Sequence, residues 1–292
     1  KAAFTSVLQH CNTTPYDAFI PVDYPGFNLP LARHLRARGT PVLWYIAPQL
    51  WAWGAWRARR LAEAIDRLFV VFPFEVEFFR RAGIEAEWLG HPFLDNPAYA
   101  TEPLATKQPN LVALLPGIRQ HEQALHLPLM LRLAERLGHR HQQLQFMVAC
   151  EKPATLRVPA SVRFTTNVEQ LLQDAQVAVV KAGTSSLEAL LAGTPEVVLY
   201  RASLGTYLVA RSLIRIPFVA LPNIITGRRV VPEVVQWSTR IGRIEQQLER
   251  LLMNPDEQER QREEARRIRT LLGGSGASQR IADRMLALLG RL

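Results

Sequence analysis

The sequence predicts an α/β protein that consists of two doubly wound, Rossmann-like domains with parallel sheets. From residue 16 onward, short apolar runs alternate with amphipathic stretches, which is the order that strand–helix–strand units produce. The chain has 292 residues, and since one domain usually spans roughly 100–200 residues, two domains are expected. The composition, 48% hydrophobic and 21% charged, supplies apolar material for both cores.

In the first half of the chain, strands and helices follow one another regularly. Apolar and aromatic runs predict strands at 18–22, 41–46, 67–72 and 86–89. Amphipathic stretches predict helices at 28–38, 55–65 and 74–82. Ligands of such sheets bind at the carboxyl ends of the strands, so the residues that follow each strand are the first place to look for a site.

A polar, proline-rich segment at 96–109 has no periodicity and predicts a linker between the domains. Beyond it the alternation resumes, with strands at 110–115, 144–149, 161–165, 176–180 and 196–200 and helices at 119–138, 168–174, 184–192 and 204–213. The expected division is therefore a first domain at 1–100, a second domain at 101–275 and a C-terminal helix at 276–292.

The end of the chain, about 243–291, is almost entirely helical, with a break at Gly273–Gly276. Three roles for these helices stay open at this level. They pack back on the first domain, form the interface of a homodimer, or contact a membrane.

Charge and cysteine content limit the classes of partner. The net charge of +9 attracts phosphorylated small molecules, anionic lipid headgroups or nucleic acid. Many arginines stand beside glutamates in helical stretches, as at 257–269, which favours solvated helix faces and argues against a nucleic-acid partner. The two cysteines, Cys11 and Cys150, lack the spacing of a disulfide framework or a zinc site.

Residues 114–122 (LLPGIRQHE) place Gly117 and Arg119 between a strand and a helix. A helix N-terminus at a strand end offers free N–H groups and a positive dipole end to an anion. Arg119 adds a bidentate donor for phosphate. The alternative interpretation is an ordinary strand–turn–helix connection.

Residues 181–188 (KAGTSSLE) repeat that arrangement after a later strand. Gly183 allows close backbone approach to a ligand, and Thr184 and Ser185 bring hydroxyl donors for phosphate. Glu188, one turn into the helix, is placed to accept hydrogen bonds from two ribose hydroxyls. Because Ser185 and Glu188 also have the S-x-x-E spacing, a capping box is the structural alternative.

Segment 221–236 (LPNIITGRRVVPEVVQ) combines Asn223, Arg228, Arg229 and Gln236 with apolar residues that follow neither a helical nor a strand period. Irregular segments with apolar anchors and several polar groups are typical of functional loops. A surface loop between helices is the alternative.

The first domain has three further candidates. Asp23 follows a predicted strand and is either a general base toward a hydroxyl or a helix cap. Residues 44–56, which include Trp51 and Trp53, form either a wall for a lipid chain, an interfacial anchor beside Arg57, Arg59 and Arg60, or plain core. His91 is a candidate for phosphate contact or proton transfer, with a structural role as the alternative.

Taken in order, these segments resemble the lipid-A-disaccharide synthase family. The matching segments are DYPGFN, IAPQLWAWG, FVVFPFE, GHPFLD, LLPGIRQHE, KAGTSSLEALLAGTPEVVLYR and LPNIITGRRVVPEVVQ. The resemblance is continuous over residues 16–240, and the last segment is specific to this family among glycosyltransferases.

The resemblance implies a GT-B glycosyltransferase whose two domains face a cleft. It implies no metal and no cofactor, since the UDP-sugar is a substrate. The implied reaction joins UDP-2,3-diacylglucosamine to 2,3-diacylglucosamine 1-phosphate with inversion and gives the β-1′,6-linked lipid A disaccharide and UDP. The implied location is the cytoplasmic face of the bacterial inner membrane, as a peripheral protein.

The resemblance also assigns roles to residues. Asp23 matches an acidic position that the family uses as base or acceptor ligand, and it is the candidate base here. The chemistry of the displacement makes Arg119 the candidate for stabilising the leaving diphosphate. Arg119, Glu188, Asn223 and Gln236 match the family's UDP-binding positions. The arguments from the residues themselves add Gly117, Gly183, Thr184, Ser185 and Arg228 to the nucleotide-sugar site. Trp51, Trp53 and His91 are the acceptor or lipid candidates on the arguments from the residues given above, without a match to a family position.

Several features depart from the family's pattern. Ile118 stands where members usually carry Ser, Lys181-Ala182 replaces Ala-Ser, and Gly26 stands where some members have a second Asp. The chain begins with Lys1 inside a predicted helix, so we expect a preceding segment to be missing and the first domain to be incomplete, with consequences for transfer activity. The alternative functions are another GT-B enzyme on UDP-N-acetylglucosamine (a peptidoglycan-precursor transferase or an epimerase) and a non-catalytic binder of nucleotide or membrane.

Overall fold

The computed structural model describes residues 2–100, 107–151, 158–201, 216–235 and 241–290, without the side chain of Trp53. The chain divides into two compact units. The first contains the residues up to 95 together with those from 271 onward, and the second contains the described residues of 96–270.

Strands and helices alternate along the chain, as the apolar periodicity predicts. The strands are β1 (Leu43–Tyr45), β2 (Arg67–Val70), β3 (Ala86–Trp88), β4 (Gln108–Leu115), β5 (Gln145–Ala149), β6 (Val162–Thr165), β7 (Ala175–Lys181), β8 (Glu196–Tyr200) and β9 (Glu233–Val235). The described helices are α1 (Ala2–Thr13), α2 (Pro25–Ala37), α3 (Leu50–Trp53), α4 (Ala58–Ala62), α5 (Pro73–Arg81), α6 (Pro97–Ala100), α7 (Gln120–Arg140), α8 (Val168–Asp174), α9 (Thr184–Leu191), α10 (Leu221–Thr226), α11 (Ile241–Met253), α12 (Pro255–Leu271) and α13 (Ala277–Leu288). The helix predicted at 204–213 lies outside the described residues.

The first unit has a parallel sheet in the order β1-β2-β3, with apolar side chains on both faces. On one face Trp44, Leu68 and Val70 pack with the helical residues Leu61 and Phe79. On the other face Leu43 and Phe69 pack against Ile281 and Met285 of α13. Alternate strand residues point to opposite faces, so a sheet that is apolar on both faces needs a helix layer on each. The sequence left three roles open for the C-terminal helices: packing on the first domain, dimerisation or membrane contact. The structure shows the first of these for α13.

The strand predicted at 18–22 is wrong as a continuous element. Two isolated parallel bridges take its place, Phe19 with Val42 and Val22 with Tyr45. Pro21 has no N–H to donate, and it contributes only its carbonyl, which accepts from the Tyr45 N–H at 2.9 Å. The segment still runs beside β1, so Asp23 follows at the carboxyl edge of the sheet.

The second unit has an all-parallel sheet in the order β6-β5-β4-β7-β8-β9. Its strands are nearly continuous apolar runs, as expected of a sheet buried on both faces. Val112, Leu114 and Val179 lie in one core with Met130 of α7 and Leu248 of α11. The α/β class and the parallel sheets of the prediction are confirmed.

The segment predicted as an irregular loop at 221–236 is partly regular. Residues 221–226 form α10, which ends at Gly227 with φ +67°, and residues 233–235 form the edge strand β9. Pro222 in the first turn of α10 suits a helix start, because proline there gives up no intrahelical hydrogen bond. The apolar residues that broke the expected period belong to these two short elements, apart from Val230, Val231 and Pro232 in the loop between them.

Candidate functional site

The order of the second sheet has a reversal at β4. The chain runs from β4 outward through β5 and β6, and then crosses to the other side of β4 with β7, β8 and β9. The connections after β4 and β7 therefore diverge at the carboxyl edge. Such a reversal leaves a crevice where ligands of open α/β sheets bind.

A pocket of about 210 Å³ opens at this edge. The residues that line it lie at or just after the carboxyl ends of β4, β5 and β6, or in the first turns of α7, α8 and α9. They are Leu115, Gly117, Ile118, Gln123, Ala149, Cys150, Thr166, Val168, Ser185 and Glu188. Gly117, Ser185 and Glu188, which the sequence analysis places at the nucleotide, thus line one pocket.

The first wall of the pocket is the loop between β4 and α7. Gly117 has φ +105°, a conformation that side chains rarely allow, and a Cβ there would lie 2.6 Å from Glu122 Oε2. Arg119 is the N-cap residue of α7, and its side chain is largely exposed. The loop brings Gly117 and Ile118 to the pocket wall, and the exposed guanidinium of Arg119 follows at the start of α7. The predicted phosphate contact of Arg119 stays a prediction.

The second wall is the start of α9. Gly183, with φ +141°, is the N-cap residue, and no side chain caps the helix. Since the helix begins at Thr184, Ser185 and Glu188 do not hold the positions of a capping box, and that structural alternative is wrong. Thr184 is exposed, and Ser185 is partly buried in the pocket wall.

Glu188 brings a partly buried carboxyl group to the pocket. Burial raises the pKa of Glu188 above its ordinary value, and the nearby Glu169 raises it further. Among the described residues no group donates a hydrogen bond to the Glu188 carboxylate. Hydroxyl donors of a ligand that entered the pocket would relieve this desolvation.

Sequence reasoning gave no role to Glu122 and Lys181, which meet at the same edge. Lys181 Nζ lies 2.8 Å from Glu122 Oε1. One feature of the sequence does point to Lys181. It ends an apolar strand two residues before the glycine at which a helix starts, and a charged side chain in such a place needs a partner or a ligand.

Asn223 has a role that differs from the predicted nucleotide contact. Its side chain is fully buried, and its Oδ1 accepts from the N–H groups of Val230 (2.7 Å) and Val231 (2.9 Å). Its Nδ2 donates to Val231 O (3.0 Å) and Glu233 Oε1 (2.8 Å). Both donors and both acceptor sites of the amide are used, so Asn223 builds the loop between α10 and β9 and has no capacity left for a ligand.

The other predictions in this segment stay predictions. Arg228 is half-exposed, and its Nη2 pairs with Glu264 Oε2 at 2.5 Å, which leaves further N–H donors of the guanidinium. Gln236 lies outside the described residues.

The carboxyl edge of the first sheet carries backbone strain. Asp23, Tyr24 and Ile46 have φ angles of +44°, +48° and +60°. Side chains other than glycine adopt this region at a cost of about 1–3 kcal/mol each, and such residues cluster at functional sites. The Asp23 N–H donates to Tyr45 O at 3.0 Å, and the Ile46 N–H donates to Phe69 O at 3.0 Å. These two hydrogen bonds hold the strained turns against the sheet.

Asp23 is not the cap of α2. The N-cap residue is Tyr24, and no side chain caps the helix. The Asp23 side chain is exposed, and Asn28 Nδ2 donates to its main-chain oxygen at 2.7 Å. The structural alternative for Asp23 is therefore wrong, and its carboxylate is available to a substrate.

Trp51 is fixed by the unit's own packing. Its Nε1 donates to Glu75 Oε1 at 2.9 Å, and its ring meets that of Phe74 edge-on at a centroid distance of 5.1 Å. The indole is only partly buried, so one surface remains for a lipid chain. Trp53 ends α3, and its side chain lies outside the described part of the chain.

His91 does not suit the predicted phosphate contact. It is 5% exposed, and its ring packs against Phe72 and Phe93 at centroid distances of 5.2 and 4.9 Å. Burial lowers the pKa of His91 to about 4, only partly opposed by Asp95. Its Nδ1 accepts from the Phe93 N–H at 3.1 Å. A neutral, packed histidine at pH 7 is a structural residue, as the alternative interpretation had it.

Trp56 is 62% exposed, the most exposed of the tryptophans in segment 44–56 whose side chains are described. The guanidinium carbons of Arg57 and Arg60 lie 4.9 and 5.6 Å from its ring centroids. Trp44, in the middle of β1, is by contrast fully buried. Trp44 thus belongs to the core, and Trp56 to an exposed aromatic–arginine cluster.

Across the described ranges, no three His, Cys, Asp or Glu side chains come together as a metal-ligating group. In the same ranges no helix has the length and apolar character needed to cross a membrane.

Comparison with known proteins gives matches along most of the chain. The family model for lipid-A-disaccharide synthetase matches residues 1–285. The lipid-A-disaccharide synthase of Geobacter sulfurreducens is 35% identical, over 99% of this chain and 79% of the relative. That of Anaeromyxobacter dehalogenans is 37% identical, over 92% of this chain and 74% of the relative.

Solved structures resemble the fold at low sequence identity. A putative UDP-N-acetylglucosamine 2-epimerase from Listeria monocytogenes superposes with a TM-score of 0.65 at 12% identity, over 100% of this chain and 79% of that one. A calicheamicin glycosyltransferase superposes with a TM-score of 0.59 at 18% identity, over 99% and 77%. At these identities the likeness concerns the fold, which is of the GT-B type.

Proposed function

This chain belongs to the lipid-A-disaccharide synthase family, and we propose that it is the glycosyltransferase that joins UDP-2,3-diacylglucosamine to 2,3-diacylglucosamine 1-phosphate. The products are the β-1′,6-linked disaccharide of lipid A biosynthesis and UDP. The observation that carries the proposal beyond family membership is the pocket at the reversal of the second sheet. There Gly117, in the loop before α7, and Ser185 and Glu188, in the first turns of α9, line one space.

The proposed nucleotide site follows from the chemistry of these walls. Free N–H groups at the starts of α7 and α9 suit the oxygens of a diphosphate. The exposed guanidinium of Arg119 supplies a charged donor on the same side. Glu188 is the acceptor for ribose hydroxyls, and the apolar lining residues Leu115 and Val168 suit the flat faces of a base.

The proposed reaction is a single displacement at the anomeric carbon of the donor sugar. The 6-oxygen of the acceptor forms a bond to that carbon, and the bond from the carbon to the β-phosphate oxygen breaks. The hydroxyl proton goes to the Asp23 carboxylate, and the electron pair leaves with UDP. Asp23 suits this role because its side chain is exposed and caps no helix.

Arg119 stabilises the charge that develops on the leaving diphosphate. Loss of one such donor typically lowers turnover about 100- to 1,000-fold. We therefore expect Arg119→Ala to lower kcat by that order, and near-wild-type turnover would remove Arg119 from the mechanism.

A peripheral position on the cytoplasmic face of the inner membrane belongs to the same proposal. Both sugar substrates carry acyl chains, so the enzyme must work at a lipid surface. Trp56, with Arg57 and Arg60 over its ring, has the amphipathic composition of an interfacial anchor.

The first experiment is a calorimetric titration with UDP, with ADP as the control ligand, on the wild type and on Glu188→Ala. We expect UDP to bind, ADP to bind more weakly, and the substitution to weaken UDP binding about tenfold or more, since it removes a charged hydrogen-bond acceptor. A folded protein that ignores UDP would contradict the proposal.

A transfer assay then fixes the substrate class. UDP release is measured with the diacylated donor and acceptor, and in parallel with UDP-N-acetylglucosamine as donor. Turnover that requires the acyl chains supports the synthase, whereas equal turnover of UDP-N-acetylglucosamine would favour another GT-B activity.

A further inference from the structure

Lys181 places a cation between the two helix starts of the nucleotide pocket. It is the last residue of β7, and its side chain is 22% exposed. Its Nζ lies 2.8 Å from Glu122 Oε1, in the first turn of α7. A Cβ atom on Gly183, the N-cap residue of α9, would lie 3.3 Å from the same Nζ.

Glu122 holds this ammonium in place and stays ionised. Burial alone would raise the pKa of Glu122, but the hydrogen bond and charge of Lys181, with the Arg119 N–H and charge, lower it below its ordinary value. The same carboxylate is 2.6 Å from the position of a Cβ on Gly117. The Lys181–Glu122 pair therefore reaches from Gly117, in the loop before α7, to Gly183, at the start of α9.

Two of the neighbouring side chains add no positive charge beside Lys181. His126, one turn further along α7, is buried, and burial lowers its pKa, so it is neutral at pH 7. Ile118, the exposed residue of the first loop, has no side-chain donor. Arg119 is 76% exposed, and its Nη1 is 3.7 Å from Glu122.

An ammonium group has three N–H donors and no acceptor. The contact with Glu122 uses one, which leaves two for other acceptors. The N–H groups at the start of α9, which follow Gly183, are further donors on the same side of the ammonium.

We propose that Lys181 binds the diphosphate of the nucleotide substrate, and that Glu122 is the positioning residue that orients it. This inference rests on the proposed function of the pocket as the UDP-sugar site. A compact ammonium at this point also favours UDP over the UDP-sugar, because UDP carries the additional negative charge that the departing glycosyl group leaves behind.

The test compares UDP and uridine binding to the wild type and Lys181→Met. Removal of one charged donor is expected to weaken UDP binding about 10- to 100-fold. Uridine binding, followed by ligand-observed NMR, is expected to change less than about threefold because uridine lacks the diphosphate. Lys181→Arg keeps the charge and is expected to restore most of the UDP affinity.

Arg132→Met is the matched control. It removes an equal charge from the exposed side of α7, the helix that carries Glu122, about 15 Å along that helix from Glu122. Charges at that distance are largely screened at physiological salt, so UDP affinity is expected to stay within about twofold.

Glu122→Gln tests the positioning role. In that background the Lys181→Met substitution is expected to cost less UDP affinity than in the wild type, since the ammonium is no longer oriented. Additive losses would remove Glu122 from the proposal.

The outcomes separate this inference from the proposed function. If the wild type binds UDP and folded Lys181→Met binds it equally well, the role of Lys181 is wrong and the UDP site stands. If the folded wild type does not bind UDP, the proposed function itself fails. Lys181→Gln, which keeps a donor toward Glu122, takes the place of the Met variant if the latter melts at a lower temperature.

Discussion

Glu75 shows how one residue organises the carboxyl edge of the first sheet. It is 1% exposed, and its Oε2 accepts from the N–H groups of Val71 (3.1 Å) and Phe72 (3.0 Å). Its Oε1 accepts from Trp51 Nε1 at 2.9 Å. The carboxyl therefore connects the end of β2, the start of α5 and the tryptophan proposed to contact lipid.

The burial of Glu75 has a consequence for pH. Burial raises its pKa to about 7, although the hydrogen bonds from Phe72, Trp51 and Val71 act to lower it. The unfolded group ionises at its ordinary, lower pKa, so the folded state binds the proton more tightly. Stability contributed by the protonated form is present at low pH and is lost as the pH rises through the folded pKa.

We expect Glu75→Gln to flatten this pH dependence. Relative to the variant, the wild-type free energy of unfolding should fall by about 1–3 kcal/mol between about pH 5 and about pH 8. Urea unfolding at both pH values measures the difference. Glu77→Gln, on the exposed side of the same helix, is the control, since hydrogen bonds from Arg80 and Arg81 lower the pKa of Glu77. Parallel pH profiles for wild type and Glu75→Gln would contradict the prediction.

At the scale of elements, Asp95 fixes the start of α13. Its Oδ1 accepts from the N–H groups of Gly276 (2.6 Å) and Ala277 (3.0 Å), and its Oδ2 accepts from Ser278 (2.7 Å). These are N–H groups that a helix leaves without internal partners. The cap determines where α13 begins, and thereby how Ile281 and Met285 meet the first sheet.

We expect Asp95→Ala to lower the free energy of unfolding of the first unit by about 1–2 kcal/mol, the usual cost of losing a helix cap. Burial acts to raise the pKa of Asp95, but the hydrogen bonds from Ser278, Ala277 and Gly276 outweigh it and lower the pKa. The stabilisation is therefore present above the unfolded pKa and lost as the pH falls through the folded one.

Urea unfolding of Asp95→Ala beside Asp283→Ala checks this assignment. Asp283 lies on the exposed face of α13 and accepts from Gln279 Nε2 at 2.7 Å, so its loss should cost no more than about 0.5 kcal/mol. Equal losses in the two variants would mean that the cap contributes nothing particular to this helix.

At the scale of the whole molecule, the net charge of +9 is compatible with a lipid surface. The negative potential of a leaflet with anionic lipids attracts nearby basic residues by about 1 kcal/mol each. The exposed cluster of Trp56, Arg57 and Arg60 combines that attraction with an aromatic ring.

We expect the protein to bind vesicles that contain phosphatidylglycerol and to release them as salt is raised, because screening shortens the reach of its charge. Trp56→Ala should weaken this binding about tenfold, given the apolar area that the ring would bury. Met253→Ala removes a side chain that is equally exposed, at 62%, but belongs to the second unit, and co-sedimentation should show little change. Equal effects of both substitutions would exclude the Trp56 cluster as an anchor.

The sequence by itself determined the order of elements and the fold class. Helix 168–174 and strand 196–200 have the bounds that periodicity predicts, and helix 184–191 differs by one residue. Local patterns suffice here because apolar periods of two or 3.6 residues reflect which face of an element is buried. The segment resemblance likewise identified the family, because those motifs are read directly from the chain.

Tertiary structure decided what the individual polar side chains do. Asn223 looked like a ligand residue, but contacts with Val230, Val231 and Glu233 use all of its hydrogen-bonding capacity. Lys181 looked like a mere departure from a motif, but it meets Glu122 from 59 positions away. Asp95 caps a helix that begins more than 180 residues later. Partners of this kind depend on how strands and helices pack, and a charged or amide side chain takes its role from the partner it finds there.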